Sequence, residues 1–300
     1  MGEKLRFLDL FAGIGGFRLA LEQAGHECIG FCEIDKFARQ TYKANFDTKG
    51  EVDWEDVTEV TDSEARELRG KVDLITAGFP CQPFSVAGKR RGFEDTRGTM
   101  FFEIARITKQ IEPRFLLLEN VKGLLSHDKG RTFAIILSTL DELGYDVEWQ
   151  VLNSKDFGVP QNRERVFIVG HSRRFPRREV FPITRTSGQT LKELTRGLAD
   201  AYRVYDPAGI ARTLKAEAGG VGAKTGLYAV PVLQERTGVV EGVRIRRLTP
   251  LECFRLQGFP DEFFHRAKAA GVSDRQLYKR AGKAVTVNVV YEIARRLQND

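Results

Sequence analysis

Residues 5–33 constrain the fold more than any other stretch. Leu5 to Leu10 is an apolar strand, Phe11-Ala12-Gly13-Ile14-Gly15-Gly16 is a glycine turn, and Phe17 to Ala24 is a helix that Gly25 ends. Glu27 to Cys32 is a second strand, closed by Glu33, an acid 20 residues after Gly13. A strand, glycine loop, helix and strand with an acid at that distance match a nucleotide-type binding fold, in which the acid takes ribose hydroxyls. The loop departs from the G-x-G-x-x-G spacing, because Arg18 stands at the third glycine position. The close backbone approach that a pyrophosphate needs is therefore weakened, and an adenosine cofactor without phosphates fits as well or better.

The same alternation continues. Asp35 to Asn45 reads as a helix, Trp54-Glu55-Asp56-Val57 as a polar loop and Asp62 to Arg69 as a short charged helix. Val72 to Ala77 is a buried strand, Met100 to Ile111 has helical spacing, and Arg114 to Leu118 is a strand that ends in Glu119-Asn120-Val121. Arg131 to Leu143 is a helix, and Val147 to Leu152 and Val166 to Gly170 are strands. Strands alternating with helices imply an α/β fold, a Rossmann-like, doubly wound and mostly parallel sheet with helices on both faces. From His171 to Pro182 the chain turns arginine- and proline-rich, and up to about Val243 it has short segments and many glycines, including Gly219-Gly220-Val221-Gly222. This predicts a second, smaller, irregular and mainly β domain. Leu248 to Leu256 reads as a short helix with Thr249 as N-cap and Pro250 at N1. Val285 to Leu297 is the last helix. The division expected is residues 1–170, completed by 275–300, against 171–274.

Within this frame Gly78-Phe79-Pro80-Cys81-Gln82-Pro83-Phe84-Ser85 stands out. Two prolines forbid regular structure on either side of one cysteine, at the C-terminal end of a strand. That edge is where open α/β sheets bind ligands, so Cys81 is a candidate nucleophile. A small buried hydrophobe is the plainer reading of a free cysteine. Gly88 to Thr99 is polar, glycine-rich and without apolar periodicity, as a mobile active-site lid would be.

Charge narrows the partner. The net charge is +6, and between Arg163 and Arg185 seven arginines face two glutamates. Lys89-Arg90-Arg91 and Arg244 with Arg246-Arg247 are further basic clusters, so a polyanion is the natural partner. Four scattered cysteines, Cys28, Cys32, Cys81 and Cys253, with no C-x-x-C pair and isolated histidines, argue against a disulfide framework and against a metal site. The N-terminus lacks a signal-peptide layout and no apolar run approaches membrane-spanning length, so a cytoplasmic setting is expected.

Six stretches, in order along nearly the whole chain, resemble the DNA cytosine-5 methyltransferases. They are Phe11 to Gly16, Gly78 to Ser85, Arg91 to Ile107 with Glu94-Asp95-Thr96-Arg97-Gly98, Glu119-Asn120-Val121, Gln161-Asn162-Arg163-Glu164-Arg165, and Arg247 to Cys253 with Gln257-Gly258-Phe259-Pro260. The resemblance implies a bacterial or phage type of enzyme that flips a cytosine out of duplex DNA, attacks C6 with Cys81 and methylates C5 from S-adenosylmethionine. It makes Glu119 the acid that protonates N3, Asn120 a holder of the local backbone, and Arg163 and Arg165 the residues that orient Glu119, the base and a phosphate. For the cofactor it implies Phe11, Gly13, Gly15, Glu33, Ile34, Asp56, Val57, Pro80, Met100, Lys283 and Val285. For DNA it implies Ser85, Arg97, Arg203 and Thr213, with 171–274 as target recognition region and supporting motif. A monomer on nucleoid DNA is expected, with a cognate restriction endonuclease as a possible companion.

One position departs from the pattern. Where the family usually has asparagine after glycine, this chain reads Ala281-Gly282-Lys283-Ala284-Val285. In relatives this segment returns to the methionine end of the cofactor pocket. A lysine about 4 Å from a sulfonium, at an effective dielectric near 20, meets a repulsion of roughly 4 kcal/mol. Lys283 then turns to solvent or a DNA phosphate, weakens the ordinary cofactor, or pairs with an anion that this cofactor lacks. A carboxylate on the transferable group, as in carboxy-S-adenosylmethionine, would satisfy it and yield 5-carboxymethylcytosine. An RNA cytosine-5 methyltransferase shares the Cys81 and Glu119 motifs. A NAD-dependent dehydrogenase would use the glycine loop but gives Cys81, Glu119 and Arg163 no joint role, and a non-catalytic DNA-binding protein has no need of them.

Overall fold

The computed structural model describes residues 3–80, 100–177, 179–185, 187–188, 190–195, 203–206, 208–214, 227–233 and 240–298. In its first part β1 (Arg6–Leu10), α1 (Gly16–Gln23), β2 (Glu27–Cys32), α2 (Lys36–Asn45), β3 (Val52–Trp54), α3 (Asp62–Arg66) and β4 (Leu74–Gly78) alternate. α4 (Met100–Ile111), β5 (Phe115–Val121), α5 (Arg131–Glu142), β6 (Tyr145–Asn153), β7 (Gln161–Asn162) and β8 (Glu164–Ser172) follow. Seven of the strands form one sheet in the order β3-β2-β1-β4-β5-β8-β6. The pairs β1–β2, β2–β3, β1–β4 and β4–β5 are parallel, while β8 runs antiparallel between β5 and β6. The sheet is thus the mostly parallel one expected.

Side-chain alternation splits the core in two. Phe7, Leu74, Leu117 and Val169 face α1, whereas Leu8, Ile75, Leu118 and Ile168 face α4 and α5. The order of the last two strands follows from their composition. β8 carries Val166-Phe167-Ile168-Val169, buried on both faces, and so it takes the inner place. β6 interleaves Asp146, Glu148 and Gln150 with apolar residues and takes the edge. β3 lies partly in what reads as a polar loop, because only three residues pair and they do so with β2 alone.

The second part is built from β9 (Val204–Tyr205), β10 (Ala211–Arg212), β11 (Leu227–Leu233) and β12 (Val240–Arg246). β9, β11 and β12 make a small sheet in the order β12-β11-β9, so this part is mainly β among the described residues. β10 pairs instead with β7, Ala211 opposite Gln161 and Arg212 opposite Asn162. That pairing joins the stretch that carries Arg163 and Arg165 directly to the second part.

Four helices close the chain: α6 (Pro250–Leu256), α7 (Asp261–Ala269), α8 (Asp274–Lys283) and α9 (Val287–Leu297). α6 starts in a full capping box, with Thr249 Oγ accepting from the Glu252 amide at 3.2 Å and Glu252 accepting from the Thr249 amide at 2.6 Å. α9 packs on α1, and α7 packs on α2, where Asn45 Nδ2 donates to the Phe263 carbonyl at 3.0 Å. α7 and α8 escape the sequence reading because their apolar stripes are thin. α7 buries only Phe263 and Ala267, and α8 buries Leu277, Arg280, Ala281 and Gly282.

Candidate active site

β1, β2, β4 and β5 are parallel, so their C-terminal ends open on one edge of the sheet. There a cleft of about 470 Å³ collects side chains from each strand end, a size suited to a small organic ligand. One end is set by the glycine turn. Phe11 and Gly13 take left-handed φ values of 54° and 58°, which fold the chain back sharply after β1. Gly16 has no room for a side chain, since a Cβ would lie 2.8 Å from Val285 Cγ1 and 2.9 Å from the Val285 carbonyl oxygen. The C-terminal segment therefore closes directly on the turn.

Glu33, at the end of β2, is held on both oxygens. Gly13 N–H donates to Oε2 at 2.7 Å and Asp35 N–H to Oε1 at 2.7 Å. Each carboxylate oxygen keeps a second lone pair for a hydroxyl donor. Beside it Ile34 is 62% exposed on the cleft wall, leaving a bare apolar face at which a flat ring can pack. A hydroxyl acceptor next to an apolar platform, with a glycine turn that brings backbone close, fits an adenosine-type group.

The other end holds the reactive groups. Glu119 is paired with Gly78 across β5 and β4, and Arg165 Nε lies 2.9 Å from its Oε1. Burial raises the Glu119 pKa above the ordinary carboxyl value, against the opposing pull of Arg165 and Arg163. Asn120 is buried and bonded twice: Nδ2 donates to the Phe79 carbonyl at 2.9 Å, and Oδ1 accepts from the Val121 amide at 2.8 Å. It thus ties the end of β5 to the chain two residues before Cys81. Pro80, to which Cys81 is bonded, lines the same cleft.

Arg163 and Arg165 part company. Arg163 is 2% exposed and donates to the carbonyls of Leu214 (3.2 Å), Gly282 (3.3 Å) and Ala284 (2.9 Å). Burial, then Arg165, pushes its pKa down to about 9 while Glu119 pulls it up, so it stays cationic at neutral pH. It crosslinks its own stretch after β7, the second part and the end of α8, where two carbonyls lack helical partners. Around it Gln161 donates to the Leu256 carbonyl at 2.8 Å, and Gln257 donates to the Ala281 carbonyl at 2.9 Å. Thr286 Oγ donates to Gln257 Oε1 at 2.9 Å.

Of the residues expected at the cofactor, Phe11, Gly13, Glu33, Ile34, Pro80 and Lys283 line the cleft. Gly15, Asp56, Val57, Met100 and Val285 do not. Asp56 caps its own turn through the Thr58 amide at 2.9 Å, and Val57 is in the core. Of the expected catalytic residues, Glu119, Asn120, Arg163 and Arg165 line it, whereas Cys81 lies outside the described residues, as do Ser85 and Arg97, which were expected at the DNA. Arg203 stands 3.6 Å from Glu193, and Thr213 donates its hydroxyl to the Asn162 carbonyl. The sequence reading missed Asp35 and Arg280, whose ion pair of 2.6 Å bridges α2 and α8 at the cleft wall. Their separation in sequence left no local signal, although Arg280 stands three residues before Lys283.

A glycine turn and strand-end acid facing a buried acid–arginine pair across one cleft define a Rossmann-like enzyme in which a cofactor lobe and a reaction centre meet. Residues 5–208 and 212–299 match the profile of the C-5 cytosine-specific DNA methylases, and the chain belongs to that family. It is thereby an enzyme of the DNA cytosine-5 methyltransferase class. It is 38% identical to the Type II methyltransferase M.HhaI of Haemophilus parahaemolyticus, over 97% of this chain and 93% of that protein. It is 40% identical to the Type II methyltransferase M.HpaII of Haemophilus parainfluenzae, over 98% of this chain and 89% of that one. Among solved structures the S. pombe Dnmt2 methyltransferase shares the fold, with a TM-score of 0.72 at 21% identity, covering 97% of this chain and 98% of that one.

Proposed function

We propose that this enzyme methylates C5 of a cytosine flipped out of duplex DNA, with Cys81 as nucleophile and S-adenosylmethionine as methyl donor. The observation that carries the reading is Glu119, an acid kept protonatable by burial at the strand end beside the one that leads into Pro80-Cys81. Extruding the base costs a few kcal/mol of stacking, which contacts in the cleft must offset. The Cys81 thiolate bonds to C6 while Glu119 gives its proton to N3, and C5 becomes enamine-like. The cofactor supplies a methyl group made electrophilic by its sulfonium. After transfer the C5 proton leaves, the S–C6 bond breaks and the thiolate is restored. Arg165 holds Glu119 in place, and Asn120 fixes the backbone that presents the cysteine.

Residues 1–170 with 275–300 act as the catalytic domain, and 171–274 as the region that reads DNA. Exposed Arg244 and Arg247 on and beside β12 supply charge for phosphates or guanine edges. The Type II names of the relatives support a modification role beside a restriction endonuclease; on this reading the enzyme acts as a cytoplasmic monomer on nucleoid DNA. No helix among the described residues is long and apolar enough to cross a membrane. Duplex DNA containing 5-fluorocytosine tests the chemistry: a covalent adduct should form with cofactor present and vanish in Cys81→Ser. An adduct that survives this change, or transfer to transfer RNA in place of duplex DNA, overturns the reading.

A second reading has its own observation. Lys283 lines the cleft with no hydrogen bond or ion pair to a described residue, so a carboxymethyl donor would find a cation waiting. Carboxy-S-adenosylmethionine would then pass its carboxymethyl carbon to C5, the sulfonium leaving as a thioether, with 5-carboxymethylcytosine as product. Mass analysis of nucleosides from cells making the enzyme decides this. Only 5-methylcytosine, unchanged in Lys283→Asn, refutes the carboxymethyl reading.

A further inference from the structure

Arg18 stands at the third glycine position of the turn, yet it does not line the cleft. It is buried, and each of its five N–H groups meets an acceptor. Nε donates to Glu22 at 2.7 Å. One terminal nitrogen donates to Glu51 Oε2 at 2.8 Å and to the Tyr42 hydroxyl at 3.4 Å, the other to Glu51 Oε1 at 2.7 Å and to the Asp47 carbonyl at 3.2 Å. No donor is left for a phosphate. What the guanidinium covers is a ring: its central carbon lies 4.4 Å from the centroid of Phe46. That ring fills the space behind the glycine turn. A Cβ on Gly15 would lie 2.3 Å from Phe46 Cε2 and 3.1 Å from Tyr42 Cδ2. Tyr42 and Phe263 of α7 flank Phe46, with ring centroids 4.8 and 5.4 Å away. Three supports thus meet at the turn: Glu33 on the Gly13 amide, Val285 on Gly16 and Phe46 on Gly15. The third reaches the turn from outside the cleft and is held by Arg18.

We propose that Arg18 is a positioning residue for the cofactor: clamped by Glu51 and Glu22, it holds the Phe46 ring against Gly15 and so fixes the backbone of the turn in the shape the cofactor meets. The proposal rests on the reading of this cleft as an S-adenosylmethionine site, and it names a determinant of that site that touches no ligand. A buried ion pair is by itself weak evidence for stability, since apolar residues of the same volume often serve as well. A guanidinium with all its donors engaged does something they do not: it fixes one ring in one place. The turn then binds as a preorganised surface, ordered on folding and not on binding.

The test is steady-state transfer by the whole enzyme, with S-adenosylmethionine and duplex DNA varied in turn, beside thermal melts. Phe46 is half-buried, so Phe46→Leu folds; it leaves the Arg18 hydrogen bonds in place but withdraws the ring from Gly15. A cation over a ring is worth about 3- to 30-fold in an equilibrium, and the KM for S-adenosylmethionine should rise by that order. The kcat and the KM for DNA should stay within about twofold. Arg18→Met combined with Glu51→Gln removes the clamp without stranding a buried charge, and should raise the same KM alone. Adding Phe46→Leu to that pair should add little, because all three changes act through one contact. Arg18→Lys, which keeps a cation for the ring, should recover part of the loss. A lower melting temperature with the cofactor KM unchanged makes Arg18 a staple of the fold alone and overturns the proposal, as does an equal rise in both KM values. An unaltered enzyme that binds no S-adenosylmethionine overturns the cofactor reading itself, a distinguishable outcome.

Discussion

Glu119→Gln separates chemistry from stability at this site. Glutamine keeps the size of the side chain and an oxygen for Arg165, but it cannot give a proton to the base. General acid catalysis contributes about 10²- to 10⁴-fold, so single-turnover methyl transfer should slow by that factor, roughly 3 to 5 kcal/mol in the barrier. The stability change should be small, and the direction of the pKa shift says why. Glu119 is raised above its ordinary value although Arg165 lies 2.9 Å away, so desolvation of the carboxylate outweighs its ion pairs. A neutral amide removes that cost while leaving Arg165, which is 16% exposed, partly solvated. The two effects oppose, and the melting free energy should move by no more than about 1 kcal/mol. The pH profile gives a second readout. The acid must be protonated, so the wild-type rate falls as pH rises through a pKa displaced upward from 4.5, and the variant lacks this limb. Single-turnover transfer to duplex DNA across pH, beside thermal melts, measures both. A variant within threefold of wild type in rate, or with the same pH limb, refutes the assignment of Glu119 as the acid.

Three further outcomes follow from the geometry. Asn120→Ala removes the bond that ties β5 to Phe79 and the one that holds the Val121 amide, and it leaves the Phe79 carbonyl without that donor, which should destabilise the fold by about 1 to 3 kcal/mol in denaturant melts; the rate of 5-fluorocytosine adduct formation should fall with it. Asp9 is fully buried, takes one hydrogen bond from Thr76 at 2.8 Å, and has its pKa raised by desolvation from 3.8 to about 7. Its folded pKa exceeds the unfolded one, so its favourable contribution is complete below pH 3.8 and is lost as pH rises from there through 7, a decline of up to about 4 kcal/mol; Asp9→Asn should flatten that decline between urea melts at about pH 4 and about pH 8, and an unchanged slope counts against it. Gly16→Ala should lower the melting point and weaken cofactor binding, because its Cβ meets the Val285 carbonyl at 2.9 Å, costing about 1 to 3 kcal/mol; a rise in melting temperature, as helix propensity alone would give, contradicts the close approach.

The chain by itself determined the alternation of strands and helices, because each element carries its own period of apolar residues and its own stop. Gly25 ends the first helix, Thr249 and Pro250 start α6, and the run from Met100 to Ile111 has matching limits in both readings. It also marked Glu119 at a strand end, since an acid directly after Leu116-Leu117-Leu118 has few other places to stand. What it left undecided is whatever depends on contacts between distant residues. β3 was hidden because three residues supply too little pattern, and α8 because its buried face holds a charged arginine. The place of β8 between β5 and β6 depends on which strand is buried on both faces, a property of the assembled sheet. Arg163 and Arg165 look equivalent as neighbours two apart on an extended chain. Only the fold sends one to Glu119 and buries the other among the carbonyls of Leu214, Gly282 and Ala284, which lie 51, 119 and 121 residues away. Lys283 was conspicuous as an odd residue in a motif, but its companion Arg280 and their shared wall exist only once α8 is set against Asp35. Local sequence fixes what a segment can form, whereas the desolvation and pairing that give a charge its role arise only when distant segments meet.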